Sequence, residues 1–418
     1  MSKIKSVYAR EILDSRATPT VEAVVILEDG NFGVSSVPSG SSTGTHEAHE
    51  LRDNDTSRYL GQGVLKAVGN INGEIAGKLV GQDLNAVLEA DNVLVQLDGT
   101  PDKSRLGANA ILGVSMAVTK ALAATTKTPL YRYVAQLFAN NQSLFVPRPM
   151  FNMINGGKHG AGNLDFQEFH VIPNHLNSFA NCLETGAVIY ATIKKILIRR
   201  GAIHSVGDEG GFAPNLFTNL DALEILSESI IACNHKPGAD VELGLDVAAD
   251  SFFRDGRYTI KDRSSPMESA EFADYLRDLN QQYHLRLLED PLQEDDWRGW
   301  GNLTSMLGST TSIVGDDLLA TNPGRVKRAI SDKSCNAILV KPNQIGTVSE
   351  TLEVTRQART AGWKVIVSHR SGETNDSFIA DFAVGVGADY VKFGAPARGE
   401  RVAKYNRLLS IETELKQS

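Results

Sequence analysis

The hydrophobic and polar positions of the first part of the chain predict a mixture of strands and helices. A Val- and Ile-rich run at 21–27 ends in the turn residues at 28–31, which predicts a β-hairpin. Apolar residues then recur at helical spacing over 64–79. The segment 109–126 is a second predicted helix, and its Ala-rich faces are typical of a buried packing helix. These features predict a small α+β domain over residues 1–138.

The pattern changes in the second part, residues 139–418, close to Pro147-Arg148-Pro149. Short apolar runs now alternate with helical stretches, which is typical of repeated βα units and a parallel sheet. The interval between the runs that end at 246 and 289 is longer than the later ones and leaves room for a hairpin at 255–257. We therefore predict an α/β barrel preceded by the smaller α+β N-terminal domain.

Six of the predicted strands end in an ionisable residue. In chain order these residues are Asp246, Glu289, Asp316, Lys341, His369 and Lys392. From the second onward they are 27, 25, 28 and 23 residues apart, the length of one strand plus one helix. Because the carboxyl ends of all strands in a parallel barrel open onto one mouth, we expect these side chains to converge there. A single Asp in such a place is most simply a helix N-cap, but six ionisable strand ends in succession indicate a site.

The three carboxylates among these six residues are typical ligands of a hard divalent cation such as magnesium. A lysine can act as a base only if its pKa falls from about 10.4 towards neutrality. A nearby divalent cation and a second ammonium group both lower the pKa of a lysine. Lys341 and Lys392 fit this arrangement, and the alternative is that they form salt bridges with the three acids.

Two other segments add polar side chains to the same predicted mouth. Glu209 follows a short apolar stretch and lies among glycines, and Gln167-Glu168 lies in a predicted strand at 166–172. His159 lies in a glycine-rich loop, which by itself indicates no more than a surface turn.

Composition and charge restrict the possible partners. The 418 residues include 42 Lys and Arg and 50 Asp and Glu, which gives a net charge of −8. No global positive field is present to attract nucleic acid or an anionic membrane, so an anionic substrate would need local cations. Arg370 is such a cation, since it follows the strand end at His369, precedes Ser371 and is of the residue type that binds phosphate in bidentate fashion.

Cysteines and apolar segments restrict the compartment. Cys182, Cys233 and Cys335 are far apart and lack CxxC spacing, so we expect reduced thiols in a cytoplasmic protein and neither zinc nor a disulfide framework. The first ten residues contain no apolar core of a signal peptide. No continuous run of about 18 apolar residues occurs, so we expect no membrane span.

Many segments, in chain order, resemble the enolase family. They include Pro38-Ser-Gly-Ser-Ser-Thr-Gly44, Val206-Gly-Asp-Glu-Gly-Gly211 and Ser368-His-Arg-Ser-Gly-Glu-Thr374. Further matching segments lie at 11–16, 107–111, 155–157, 167–169, 213–215, 288–290, 314–317, 343–346 and 401–406. The resemblance extends over nearly the whole chain, and it implies the family's architecture, a small α+β domain followed by a ββαα(βα)₆ barrel.

The resemblance also implies the metal ligands. Asp246, Glu289 and Asp316 are similar to the residues that bind the tighter of two magnesium ions in this family. Ser42 is similar to the residue that closes over the substrate and helps to hold the second magnesium ion, which binds together with the substrate.

The roles in the reaction follow in the same way. Lys341 resembles the base that removes the C2 proton of 2-phosphoglycerate, and Glu209 resembles the acid that helps to expel the C3 hydroxide, with support from Glu168. Arg370 and Ser371 resemble phosphate-binding residues. The remaining candidates resemble side chains that surround the substrate, and they are Gln167, His159, His369 and Lys392.

The resemblance therefore implies reversible, magnesium-dependent dehydration of 2-phosphoglycerate to phosphoenolpyruvate, in a cytoplasmic homodimer or octamer. One alternative is a paralogue that acts on a modified phospho-acid. Another is a catalytically silent scaffold or surface-binding protein, which would be expected to lack a metal ligand or the base. Neither loss occurs in this sequence.

Three positions depart from the usual family pattern, and these are Phe393, Pro342 and Ala17-Thr18. Side chains alternate along a strand, so if Lys392 points into the barrel we expect Phe393 to point out towards the helices. Pro342 cannot donate a ladder hydrogen bond, which predicts that its strand ends at Lys341. A strand end at this position could displace the base slightly and slow the reaction.

Overall fold

The computed structural model describes residues 2–40, 45–139, 143–160, 162, 164–174 and 178–417. Ser42 lies outside the described residues. An antiparallel sheet in the order β3-β2-β1-β4 forms the first layer of the N-terminal part, with β1 (Ser2–Leu13), β2 (Pro19–Leu27), β3 (Phe32–Ser36) and β4 (Asp83–Leu84). The predicted turn at 28–31 joins β2 to β3, and Ile26 pairs with Phe32 across the hairpin.

Helices pack against this sheet and against one another. They are α1 (Leu65–Asn70), α2 (Ala76–Leu79), α3 (Val87–Asp98), α4 (Ala108–Thr125) and α5 (Leu130–Phe138). A π-helical turn, Ile71–Ile75, joins α1 to α2, so the periodic segment 64–79 is helical almost throughout, as predicted.

Helix α4 is the one helix within the described ranges that is long and apolar enough to cross a membrane by length and composition. No such segment was expected from the sequence, because scattered polar residues interrupt the apolar run of this helix. In the fold, 83% of its residues are buried. It lies so close to β3 that a Cβ on Gly33 would be 2.0 Å from the carbonyl oxygen of Ala117, which explains why small residues line the helix. Helix α4 is therefore the packing element that the sequence predicts.

Eight strands close into a barrel in the second part of the chain. In sheet order they are β5 (Arg148–Asn155), β6 (Glu168–Pro173), β7 (Val241–Asp246), β10 (Leu285–Glu289), β11 (Ser312–Gly315), β12 (Ala337–Val340), β13 (Lys364–Ser368) and β14 (Tyr390–Lys392). The other two strands, β8 (Phe253–Arg254) and β9 (Arg257–Tyr258), form the hairpin predicted at 255–257. Both turn residues have positive φ, 50° at Asp255 and 76° at Gly256, as a type I′ turn requires.

The helices of the barrel are α6 (Phe179–Arg199), α7 (Asn219–Ala232), α8 (Ser269–Tyr283), α9 (Trp297–Leu307), α10 (Pro323–Asp332), α11 (Pro342–Ile345), α12 (Val348–Thr360), α13 (Phe378–Gly385) and α14 (Gly399–Gln417). Both α6 and α7 lie between β6 and β7, and each later barrel strand is followed by helix. The architecture is therefore a ββαα(βα)₆ barrel behind an α+β domain, and the predicted fold class is confirmed.

Strand β6 runs antiparallel to both of its neighbours, whereas the other barrel pairs are parallel. Its first residue, Glu168, is opposite Asn155 at the end of β5 and Asp246 at the end of β7. The amino end of β6 therefore lies at the same mouth as the carboxyl ends of the other strands. The strand begins one residue after Gln167, later than the predicted start at 166.

The positions that depart from the family pattern have defined surroundings. The ring of Phe393 is buried, with its centroid 6.0 Å from that of Tyr405 on α14, so it faces the helices as expected. Strand β12 ends at Val340, one residue before the predicted end. Pro342 is the first residue of α11, where a missing N–H is harmless, and Lys341 immediately precedes this helix.

Ala17 lies in a tight turn in which the carboxylate of Asp14 accepts N–H bonds from Arg16 at 2.8 Å and Thr18 at 2.9 Å. The φ of this exposed alanine is 57°, a left-handed conformation that costs an L-residue about 1–2 kcal/mol.

Glycine at position 17 would avoid this cost but would lose more entropy on folding. We expect Ala17→Gly to raise the free energy of unfolding by about 0.5–1 kcal/mol, measured by chemical denaturation. Ala239→Gly is the control, because Ala239 is an exposed turn residue without a positive φ and should gain nothing.

Asp91 links the two parts of the chain, because this buried carboxylate on α3 accepts the N–H of Ser349 at the start of α12, 2.9 Å away. Burial raises the pKa of Asp91 to about 6, above the ordinary value of 3.8. An acid with a raised folded-state pKa destabilises the fold increasingly as the pH rises between its ordinary and its raised pKa.

Asp91→Asn should therefore gain stability relative to wild type between pH 4 and pH 7, by up to about 3 kcal/mol. Denaturation curves across this range measure the difference, and a difference independent of pH would contradict it. The exposed Asp83→Asn is the control for loss of one carboxylate.

Candidate active site

The barrel mouth contains a cavity of about 320 Å³. Among the described candidates only Glu289 does not line it, since this side chain is fully buried. The candidates that do line it are Asp246, Asp316, Lys341, His369, Lys392, Gln167, Glu168, Glu209, His159, Arg370 and Ser371. Each of the six strand-end residues is the last residue of its strand or the next one along, so the regular spacing in the sequence does bring them to one place.

Lys392 lies at the centre of a buried group of carboxylates. Its Nζ is 3.0 Å from Oδ2 of Asp246, 2.8 Å from Oε1 of Glu289 and 3.2 Å from Oε2 of Glu168. Burial opposes the charge of Lys392, but these carboxylates outweigh it and raise the lysine pKa well above its ordinary value. Burial and the charge of Asp246 raise the pKa of Glu289 well above its ordinary value. The group therefore holds more negative charge than Lys392 can balance.

Lys341 belongs to a neighbouring group and forms a close ion pair with Oδ2 of Asp316. The other oxygen of Asp316 accepts a hydrogen bond of 3.0 Å from Nε2 of Gln344. Burial lowers the pKa of Lys341, but the charge of Asp316 outweighs burial and raises it. Among the protein's own groups Lys341 therefore keeps its proton. Neutralisation of Asp316, the group that raises the lysine pKa most, would move that pKa in the direction that a base needs.

Glu209 lies in a third group. Its Oε1 accepts the Ser371 hydroxyl at 2.9 Å, and its Oε2 accepts Nδ2–H of Asn152 at 3.0 Å. The ring of His159 lies between Glu209 and Glu168, with Nδ1 3.5 Å from the first and 3.1 Å from the second. Burial raises the pKa of Glu209, but His159 and then His369 outweigh this effect and hold it well below the ordinary value.

Arg370 faces a carboxylate from the N-terminal part. Its Nη1 donates to Oε2 of Glu47 at 2.8 Å and its Nη2 to Oε1 at 3.3 Å. Both side chains are almost completely buried. The pair lies beside Ser371, so this corner of the cavity offers a guanidinium and a hydroxyl to an oxyanion. Backbone hydrogen bonds between Ser39 and Gly372, of 2.8 and 2.9 Å, hold the N-terminal part against the same segment.

The donor set fits magnesium. Asp246, Glu289 and Asp316 offer only oxygen ligands, as hard cations prefer. No described residue donates a hydrogen bond to the buried Oδ1 of Asp246, so this oxygen has capacity for a ligand. A cation held there would supply positive charge to nearby oxyanions and would neutralise Asp316.

A second carboxylate cluster overlaps with this triad. Oxygens of Asp290, Asp316 and Asp317 all lie within 4.8 Å of one another. Both oxygens of Asp290, however, accept backbone N–H groups, from Asp316 at 2.9 Å and Asp317 at 2.8 Å. Asp290 therefore orients the loop that carries Asp316. Burial and the charge of Asp316 raise the pKa of Asp317 to about 7.

Sequence reasoning missed several residues of the site. Glu47 lies just after the segment 38–44 and pairs with Arg370, and Asn152 on β5 contacts Glu209. Neither has a local signal, since a lone Glu or Asn in a loop or strand is common. Arg401 contacts His369. Its segment, 401–406, resembles the enolase family, but no role was predicted for Arg401 itself.

A ββαα(βα)₆ barrel with an α+β domain against its mouth, and with acids and lysines at successive strand ends, defines an enzyme of the enolase superfamily. Residues 4–134 match the model of the enolase N-terminal domain, and residues 143–418 match that of the enolase C-terminal TIM barrel domain. The chain belongs to the enolase family.

The two overlapping carboxylate clusters make different predictions for magnesium. If Asp246, Glu289 and Asp316 are the ligands, Asp246→Asn should weaken magnesium binding more than about tenfold, because it removes a direct charged ligand. Asp317→Asn, which changes a neighbouring buried carboxylate, should bind magnesium almost as wild type does. Calorimetric titration of the folded variants measures both affinities. The reverse result would move the metal to Asp290, Asp316 and Asp317.

Proposed function

We propose that this protein catalyses the reversible, magnesium-dependent dehydration of 2-phosphoglycerate to phosphoenolpyruvate, as a cytoplasmic homodimer or octamer. The observation that supports the reaction most directly is that Lys341 and Glu209 line the same cavity but belong to separate hydrogen-bonded groups. Elimination needs a base at one carbon and an acid at the next, and two groups that do not contact each other can hold different protonation states.

In the proposed reaction, Nζ of Lys341 takes the proton from C2, and the C3–O bond breaks as the leaving hydroxide receives a proton from Glu209 and departs as water. Loss of the C2 proton places additional negative charge on the carboxylate oxygens of the substrate. The Lys392 ammonium, already surrounded by carboxylates, stabilises that charge as it develops. Asp246, Glu289 and Asp316 would hold magnesium, with Ser42 proposed for the second ion, and the metal would supply further positive charge to the site.

The resting protonation states define what substrate and metal must change. Lys341 is held protonated by Asp316, and Glu209 is held ionised mainly by His159. Neutralisation of Asp316 by a bound cation would lower the pKa of Lys341. An anionic substrate beside Glu209 raises the pKa of that carboxyl group. The binding of both ligands therefore shifts each group towards the state that dehydration needs.

The corner formed by Arg370 and Ser371 supports a phosphorylated substrate. Guanidinium binds phosphate in bidentate fashion, and a phosphate can replace the Glu47 carboxylate that Arg370 holds in the protein alone. Gln167, His159 and His369 complete the lining around the substrate. A paralogue that acts on a modified phospho-acid remains the second candidate, but Phe393 gives it no support because the ring packs on α14 and outside the cavity.

The assignment of base and acid has a direct test. Lys341→Ala should abolish exchange of the C2 hydrogen of 2-phosphoglycerate with solvent deuterium, because no base remains. Glu209→Gln should lose product formation on the order of 10²-fold or more but keep exchange, because the base is intact. Proton NMR follows exchange, and the absorbance of phosphoenolpyruvate follows product.

Asp208→Asn is the matched control, since this exposed acid next to Glu209 lies outside the cavity lining and its loss should leave turnover unchanged. Loss of exchange in the Glu209 variant with retention in the Lys341 variant would reverse the two roles. Absence of turnover by the wild type with magnesium and 2-phosphoglycerate would reject the proposed reaction.

A further inference from the structure

Arg401 connects the segments that carry four of the candidate residues. This side chain of α14 is fully buried. Its Nη1 donates to Nδ1 of His369 at 2.7 Å and to the carbonyl oxygen of Arg370 at 2.6 Å. Its Nη2 donates to the carbonyl oxygens of Asp208, at 2.9 Å, and of Ser371. One guanidinium thus joins the strand-end segment 369–371 to the loop that carries Glu209.

The contact with His369 determines where the ring proton is. A guanidinium has only N–H donors and keeps its charge at any pH at which a protein is folded. The ring atom 2.7 Å from Nη1, which is Nδ1, must therefore be the unprotonated acceptor. The neutral ring then has its single proton on Nε2, which lies 3.3 Å from Oε2 of Glu209. A second proton on Nδ1 would place two donors against each other in a buried site.

We propose that Arg401 is a positioning residue that holds His369 as the neutral ring with its proton on Nε2, the ring nitrogen that lies 3.3 Å from Glu209. In this form His369 places a neutral N–H group 3.3 Å from Oε2 of Glu209, without hydrogen-bond geometry in the protein alone, and carries no charge of its own. It can therefore offer the Glu209 carboxyl group a neutral neighbouring donor that does not compete with it as a source of protons. The catalytic part of this inference rests on the proposed function, whereas the protonation of the ring does not.

The surroundings of the ring agree with a neutral histidine. Burial lowers the pKa of His369, and the positive charge of Arg401 adds to this effect against the opposing charge of Glu209. His369 itself is almost completely buried, so water does not offer an alternative partner for Nδ1.

Lys404 provides a matched comparison on the same helix. It is also a fully buried cation, and its Nζ lies 3.0 Å from the carbonyl oxygen of Thr374 and 2.9 Å from Oε2 of Glu373. It therefore holds the next part of the same segment but does not contact His369. Loss of Lys404 measures the cost of removing a buried cation from this helix, without the specific effect that we assign to Arg401.

The first measurement uses the wild-type protein without substrate. Long-range proton–nitrogen NMR of protein labelled with ¹⁵N-histidine reports which ring nitrogen carries the proton, and His369→Asn identifies the signal. We expect an unprotonated Nδ1 and a protonated Nε2 that persist from pH 6 to pH 8. A proton on Nδ1, or a doubly protonated ring at pH 7, would overturn the proposal whether or not the protein is an enolase in activity.

The second measurement compares Arg401→Met, Arg401→Lys and Lys404→Met by the same NMR experiment and by steady-state kinetics with 2-phosphoglycerate. Arg401→Met should change the His369 signal and lower kcat on the order of 10- to 100-fold with a smaller change in KM, because the ring and its loop lose their orientation. Lys404→Met should leave the His369 signal unchanged. If Arg401→Met does not fold, Arg401→Lys decides, since one ammonium cannot replace the planar fork and the signal should still change. An unchanged His369 signal in the folded Arg401 variants would overturn the proposal.

Discussion

The active-site arrangement depends on one electrostatic constraint, the burial of several carboxylates around a single ammonium group. Lys392 contacts Asp246, Glu289 and Glu168, and all four side chains are at most 3% exposed. In an interior of low dielectric constant, unpaired negative charge is unfavourable, so such a group either binds protons or binds a cation. The raised pKa of Glu289 is an example of proton binding. The proposed magnesium site is an example of cation binding. The same excess of negative charge also accounts for the protonated state of the two lysines.

The fold satisfies this constraint through strand direction and domain contacts. A parallel barrel brings strand carboxyl ends to one mouth, and the reversed strand β6 adds Glu168 from its amino end. The N-terminal part closes the mouth through Glu47 and through the backbone pairing of Ser39 with Gly372. Helix α14 supports it from outside through Arg401. The N-terminal part and α14 therefore hold the candidate catalytic residues in place without taking part in the proposed reaction. A rigid scaffold orients reactive groups in this way.

Much of the fold and of the site could be predicted from local pattern. The hairpins at 28–31 and 255–257, the helical segment 64–79 and the buried helix α4 all have signals within a few residues, since turn chemistry and hydrophobic period are local properties. The strand ends from Asp246 to Lys392 were accessible for the same reason, because each apolar run ends where its ionisable residue begins.

The amino-acid sequence by itself determined the βα alternation, the strand-end residues and, by resemblance, the family. Only the tertiary structure decided which of these residues line the cavity and which, like Glu289, lie beneath it. It also decided that Lys341 is paired with Asp316 and Arg370 with Glu47, the latter across 323 positions of the chain. The physical reason is that periodicity reports the direction of a side chain within its own element, whereas pairing, burial and pKa depend on distances between elements that fold together.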